Sequence, residues 1–274
     1  MTTDFDEIVT VIDGIARKAG EFMLGAQDDT AQTDKSNRKD FVTVADIKSQ
    51  NIIVEELKKA FPDVPVLSEE HDEATRAKMY EDDFTGFVID PIDGTYNFKR
   101  DMRESAISIG YIEQGSPKAG VVYDPYKDEL YAAAVGKGAT RNGKPIHVSD
   151  QAELEAASIA TSNSYDDEAM ARNLRRHLTI YEQTGVMPWT NCPGSGVLIL
   201  SYVACGRFDA YHHNGLKPWD NAAAFLIIRE AGGVVHTLEG HDAPFTSNTV
   251  LAGTPKVVEA LEAAFAKADP ALLS

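Results

Sequence analysis

Apolar residues at three- and four-residue steps (Phe5, Ile8, Val9, Ile12, Ile15, Ala16, Ala19, Phe22, Met23) predict an amphipathic helix near the start of the chain, capped by Thr3 or Asp4. The polar run 27–39 holds almost no apolar residue and predicts a mobile loop ahead of Phe41-Val42-Thr43. A second helix is expected from Asp46, at the N-cap, to just before Pro62, turning Ile53, Leu57 and Ala60 inward. A strand at 64–67 delivers Ser68-Glu69-Glu70, and an acidic, solvated excursion to Asp83 follows. Period-two patterns at 105–112, 118–123 and 129–135 predict successive antiparallel strands, and Asn142-Gly143 signals a tight turn. From about Ser149 the rhythm changes: strand 158–161, helix 167–183, strand 186–189, helix 195–205, strand 207–211, helix 221–231, strands near 234–238 and 250–252, and a closing helix 256–266. Residues 1–148 therefore read as helices on an antiparallel sheet, and 149–274 as an α/β half. With no repeat and no flexible linker between them, the halves are expected to form one rigid body.

The rest is organised around residues 88–98, where the apolar run Phe87-Val88-Ile89 ends in Asp90-Pro91-Ile92-Asp93-Gly94-Thr95. Phe87 to Ile89 suit a buried strand, Pro91 cannot donate a ladder bond, and Gly94 allows a turn that other residues resist. The strand is expected to stop at Asp90 and a helix to open at Thr95, its first N–H groups lacking intrahelical partners. Carboxylates beside free N–H groups point to a cation and an anion held together. A phosphate ester could approach two aspartates only with divalent metal between them. Mg²⁺ takes oxygen ligands and leaves room for substrate oxygens, and two ions about 3.5–4 Å apart can clamp the attacking and leaving oxygens of a displacement. An Asp-rich turn that merely caps a helix is the simpler alternative for two aspartates taken by themselves.

Composition narrows the partners. A net charge of −17 argues against binding nucleic acid or an anionic membrane through a basic surface, yet leaves room for a small phosphorylated substrate if metal supplies the positive charge. Cys192 and Cys205 have no metal-binding spacing and are expected to be buried, unpaired side chains. An acidic beginning without an apolar signal region, and no run of eighteen apolar residues, predict a soluble cytoplasmic protein.

Further acids join the first two. Asp40-Phe41-Val42-Thr43-Val44-Ala45-Asp46, Ser68-Glu69-Glu70, the 90–98 stretch, and Leu216-Lys217-Pro218-Trp219-Asp220 running into 222–233 occur in this order. In these four blocks the chain resembles the inositol monophosphatase family of metal-dependent, lithium-sensitive sugar phosphatases. The resemblance implies a layered α/β/α/β/α sandwich, a homodimer, Mg²⁺, and hydrolysis of inositol monophosphate or a related sugar or polyol phosphate. Fructose 1,6-bisphosphate, 3'-phosphoadenosine 5'-phosphate and histidinol phosphate are alternative substrates, and a metal-binding regulatory protein without catalysis is the alternative outside enzymes. It implies that Glu69 binds one metal, Asp90 bridges two, the Ile92 carbonyl completes the first, and Asp93 and Asp220 hold the second. It also implies that Thr95, paired with Asp46, orients the attacking water. An all-oxygen set agrees with Mg²⁺ rather than zinc. Glu70 is read as a neighbour of the ligands or as a solvated charge. The substrate phosphate is expected on the N–H groups of Gly94 and Thr95, and Gly194-Ser195 matches a family segment lining the substrate pocket, although the arginine frequent upstream is here Asn191. His213 stands where inositol-hydrolysing relatives carry a glutamate. An imidazole there accepts one bond or becomes a cationic donor; alternatively, His212 and His213 merely end a strand in solvent.

Overall fold

The computed structural model describes residues 4–26, 31–37 and 40–267. The elements, in order, are α1 (Phe5–Gly25), β1 (Gln32–Asn37), β2 (Asp40–Thr43), α2 (Val44–Ala60), β3 (Val66–Ser68), α3 (Glu73–Arg76), β4 (Gly86–Asp93), α4 (Thr95–Lys99), β5 (Ala106–Glu113), β6 (Ser116–Asp124), β7 (Glu129–Ala134), β8 (Ala139–Arg141) and β9 (Lys144–Ile146). They continue with β10 (Ser158–Ala160), α5 (Asp167–Thr184), β11 (Trp189–Asn191), α6 (Gly196–Ala204), β12 (Ala210–Asn214), α7 (Pro218–Glu230), β13 (Val234–His236), β14 (Thr249–Gly253) and α8 (Pro255–Phe265).

Among the described residues the strands form a seven-stranded sheet ordered β3 to β9, a five-stranded sheet ordered β11-β10-β12-β14-β13, and the β1-β2 pair. The larger sheet is antiparallel except where β3 runs parallel to β4. In the smaller sheet β11, β10 and β12 are parallel, and β14 runs antiparallel to β12 and β13.

Strand alternation sets the layers. Phe87 and Ile89 of β4 pack with Ile8, Ile12, Ile15, Ile53 and Leu57 of α1 and α2, whereas Val88 faces Trp219 and Ala222 of α7. The helices α6 and α7 lie between the two sheets, meeting Val122 and Tyr131 on one side and Tyr211, Val250 and Ala252 on the other. Ile180 of α5 and Val257, Leu261 and Phe265 of α8 cover the outer face of the small sheet, on Ile159, Ala210 and Leu251. The result is the α/β/α/β/α sandwich expected above. The seam between the large sheet and α7 is glycine-built: a Cβ at Gly110 or Gly120 would stand 2.7–2.8 Å from atoms of Ala222 or Ala223, so the small residues of α7 serve packing.

Local differences from the expectations have identifiable causes. Residues 32–37 form strand β1 on β2, because backbone pairing can order a polar segment that has no apolar signal; residues 27–30 and 38–39 of the expected loop lie outside the described residues. Asp4 caps α1 as expected, but Thr43 caps α2, and Asp46 stands at the third helical position, closing a capping box. The strand does not stop at Asp90. Its register slips between Asp90 and Asp93, which accommodates Pro91, and pairing resumes at Asp93 with Ala106. The expected strands 186–189 and 207–211 begin three residues later, as β11 and β12. Both cysteines are free, but Cys192 is exposed and Cys205 only partly buried, since sequence gives small side chains no facing direction.

Candidate metal centre and active site

Each acid of the centre is delivered by a terminus or irregularity of an element, and a backbone N–H anchors it. At the slip in β4, the Ile92 N–H donates to Asp90 Oδ1 at 3.0 Å, and the Ser49 hydroxyl donates to the Pro91 carbonyl at 2.9 Å. Asp220, in the first turn of α7, accepts from the Lys217 N–H at 2.8 Å. Asp93 accepts from the Val197 N–H at 3.1 Å. Asp46 Oδ2 accepts from the Thr43 N–H at 2.8 Å, and its Oδ1 faces the Thr95 hydroxyl at 3.1 Å. That hydroxyl is also 3.2 Å from the Ile92 carbonyl.

Asp90, Asp93 and Asp220 each offer an oxygen within 4.8 Å of the others. Burial, then the charges of Glu69, Asp93 and Asp220, push Asp90 well above the usual carboxylate range, and burial with Asp93 does the same to Asp220. Asp93 is raised by burial to about 6, against the bonds from Ser195 and Val197. Asp46 is likewise raised by burial to about 6, against its bonds from Thr43. Three carboxyl groups so close, withdrawn from solvent in whole or in part and without a basic side chain bonded to any of them among the described residues, form an oxygen-only set suited to a hard divalent cation.

Glu69 lies outside this tight triad, but its charge reaches Asp46, Asp90 and Asp93. Glu70 is the more buried of the pair, so it is not a solvated charge; burial and then Glu69 raise it to about 8. Between them sits a residue that sequence reading missed: Lys35 Nζ of β1 is 2.8 Å from both Glu69 Oε1 and Glu70 Oε1. Burial would lower the lysine, but the two carboxylates outweigh it and hold the ammonium above its ordinary value. A lone lysine in a polar run carries no signal of this.

A sequence profile of the inositol monophosphatase family matches residues 4–269. The chain belongs to the inositol monophosphatase family. Within the family it is 33% identical over 262 residues to the Nus factor SuhB of Salmonella typhimurium (93% of this chain, 94% of the relative). It is 36% identical over 233 residues to an inositol-1-monophosphatase of Synechocystis (85% of this chain, 79% of the relative). Among solved structures it resembles the extragenic suppressor protein suhB of Bartonella henselae, with a TM-score of 0.85 at 32% identity over 96% of this chain and 100% of the other.

Set against the family expectation, the second half of the molecule places its residues less simply. Ser195 is fully buried, and its hydroxyl bonds to Asp93 Oδ2 while accepting from the Leu198 N–H at 3.3 Å. Gly194 has a φ of +98° and lies so close to Asn97 that a Cβ would stand 2.8 Å from the amide nitrogen. Gly94, with φ +82°, is the N-cap of the short α4. His213 does not end its strand in solvent: it is 3% exposed. Its Nδ1 is 2.9 Å from Asn173 Nδ2. The Asn173 carbonyl oxygen accepts from the Asn214 N–H at 2.9 Å and from Arg176 at 3.2 Å, which fixes the amide's orientation. Asn173 therefore donates to Nδ1, and the imidazole carries its proton on Nε2. Burial, then Arg176, lowers His213 to about 3, so it is a neutral donor at pH 7 and the cationic form is excluded there. Ser162 links the ring to Tyr211, at 3.2 Å from His213 Nδ1 and 2.6 Å from the Tyr211 hydroxyl. Asn97, Ser162, Asn173 and Tyr211 are ordinary polar residues of loops, helix and strand, and only their meeting in space marks them.

Proposed function

We propose that the chain is a Mg²⁺-dependent phosphomonoesterase of inositol monophosphate or a related small sugar or polyol phosphate. The observation that carries this reading is the convergence of Asp90, Asp93 and Asp220, three acids of which Asp90 is buried and Asp93 partly buried, with oxygens within 4.8 Å. In this reading Glu69, Asp90 and the Ile92 carbonyl would hold one ion, and Asp93 and Asp220, with Asp90, a second. Divalent metal so held offsets the charge of the ester and lowers the pKa of a bound water. Lys35 is bonded to the Glu69 carboxylate that would hold the first ion, so the ammonium and the cation would compete for it. The Thr95 hydroxyl, fixed between Asp46 and the Ile92 carbonyl, orients the attacking water, and Asp46, with a pKa near 6, can receive its proton. In this reading the substrate phosphate would lie against the N–H groups of Gly94 and Thr95. A panel of monoesters incubated with Mg²⁺ tests this reading: release of phosphate from inositol monophosphate or another sugar monoester, suppressed by millimolar lithium, is expected. No release from any of them would overturn it. Preference for fructose 1,6-bisphosphate, 3'-phosphoadenosine 5'-phosphate or histidinol phosphate would keep the chemistry and change the substrate.

The His213 tautomer supports a pocket that offers an N–H donor where inositol-hydrolysing relatives offer a carboxylate. His213→Glu is expected to raise kcat/KM for inositol monophosphate relative to the best native substrate by about tenfold, the worth of one exchanged hydrogen bond. Unchanged relative specificity would remove His213 from substrate selection.

A second reading has one observation in its favour: several relatives at 33–36% identity carry the name Nus factor SuhB, so a metal-binding role without turnover is the alternative. Metal uptake with no hydrolysis of any ester would favour it. A homodimer is supported by Leu174, Leu178 and Tyr181, exposed along α5, and by Trp189, 77% exposed on edge strand β11, because an apolar row beside an open sheet edge favours burial against a second copy. No helix among the described residues is long and apolar enough to cross a membrane.

A further inference from the structure

Ser195 joins two elements that belong to different layers. As N-cap of α6 it accepts from the Leu198 N–H at 3.3 Å, and with the same hydroxyl it donates to Asp93 Oδ2, at the end of β4. The same carboxylate oxygen accepts from the Val197 N–H at 3.1 Å. A hydroxyl can do both at once because it has one proton and two lone pairs.

The contact is built. A Cβ at Gly94 would lie 3.3 Å from Ser195 Cβ and 3.0 Å from the Glu104 carbonyl oxygen, so glycine there lets the turn before α6 come down onto the end of β4. Asn97 straps the turn from the other side, donating to the Pro193 carbonyl at 2.9 Å and to the Glu104 carbonyl at 2.8 Å. With its Cβ absent, Gly194 makes room for that amide. Ser195 is fully buried, so no solvent competes for the hydroxyl.

We infer that Ser195 is a positioning residue for Asp93: its hydroxyl and the Val197 N–H fix one carboxylate oxygen on α6, and this orients the group toward Asp90 and Asp220. Cation affinity at the end of β4 thereby depends on how α6 is seated. The inference rests on the reading of the acid centre as a divalent-cation site. Groups that orient a metal ligand typically influence affinity by about 10- to 100-fold, whereas a serine that only caps a helix would alter thermal stability and leave the affinity of the folded protein unchanged.

The test is a calorimetric titration of metal-free wild type, Ser195→Ala and Ser195→Thr with Mn²⁺, beside the Mg²⁺ dependence of phosphate release with kcat read at saturation. Ser195→Ala is expected to bind Mn²⁺ about 10- to 100-fold more weakly and to need correspondingly more Mg²⁺ for half-maximal activity. Ser195→Thr, which keeps the hydroxyl, is expected to restore both. Equal Mn²⁺ affinity in folded Ser195→Ala and wild type would overturn the inference while leaving the metal reading intact. Should the alanine variant fail to fold, Ser195→Gly takes its place under the same criterion, because glycine is a tolerated N-cap and brings no hydroxyl. Wild type that takes up no Mn²⁺ would overturn the metal reading, and the inference with it.

Discussion

Asp90→Asn is expected to abolish phosphate release while the metal-free protein folds and withstands heat better than wild type. Asparagine is nearly the same shape, and its Oδ1 can still accept from the Ile92 N–H at the position held by the carboxylate. What disappears is the charge. Asp90 is 1% exposed and feels Glu69, Asp93, Asp220 and Glu70, so on folding without metal it must either bury its charge or take up a proton, and an amide avoids both costs. Those same charges are what a divalent cation requires. If Asp90 bridges two ions as proposed, its loss forfeits several kcal/mol of transition-state stabilisation, on the order of a 10³-fold loss or more in kcat/KM. Phosphate-release kinetics and a thermal melt in chelator check both halves. Near wild-type activity would remove the metal centre from the mechanism, and a lower melting temperature would show that the carboxylates are not in conflict. Asp93→Asn should lose activity equally, with a smaller gain in heat resistance, because Asp93 already has Ser195 and Val197 to offset its burial.

Stripping metal should also make the protein's stability fall as pH rises from about 6.5 to 8.5, and Mg²⁺ should remove that fall. Burial raises Asp46, Asp90, Asp93, Asp220 and Glu70, so in the folded state each holds its proton more tightly than in the unfolded chain. Their stabilising effect is complete below the unfolded value of about 4 and is lost as pH climbs through the folded values, about 6 for Asp46 and Asp93 and about 8 for Glu70. Three buried imidazoles act in the opposite sense. Burial lowers His177 to about 4 and His213 to about 3, and lowers His212 well below its ordinary value. The unfolded chain therefore binds their protons more tightly, and stability from this source rises up to about pH 6.5. Below that value the two sets oppose each other; above it only the acids titrate. A cation bound to the deprotonated carboxylates removes the advantage of protonation. Melting temperatures at three pH values, with chelator and with Mg²⁺, test this, and parallel slopes in the two series would contradict it.

Much of the fold was legible because its signals are local. The heptad-like stripe of α1, the alternation of β5 to β7 and the tight turn at Asn142-Gly143 report their own surroundings, since a side chain's direction in a helix or strand is set by its position in that element. The two aspartates separated by Pro91-Ile92 and the acids at Glu69 and Asp220 were legible as candidates for the same reason: each sits at an element boundary that the chain announces. Boundaries themselves were less secure. Thr43 and Asp46 are both competent caps, and choosing between them depends on which backbone N–H each meets.

What the chain by itself determined, then, is the order and period of its elements and a set of acids at their ends. The tertiary structure alone decided which of these meet. Asp93 finds Ser195 across 102 positions, Lys35 finds Glu69 across 34, and Asn173 turns the imidazole of His213 across 40. No periodicity carries such pairings, because a hydrogen bond or ion pair between distant residues leaves no trace in the local pattern of either. It exists only after burial of the apolar faces has brought the layers together, and burial then removes the water that would otherwise satisfy each polar group separately.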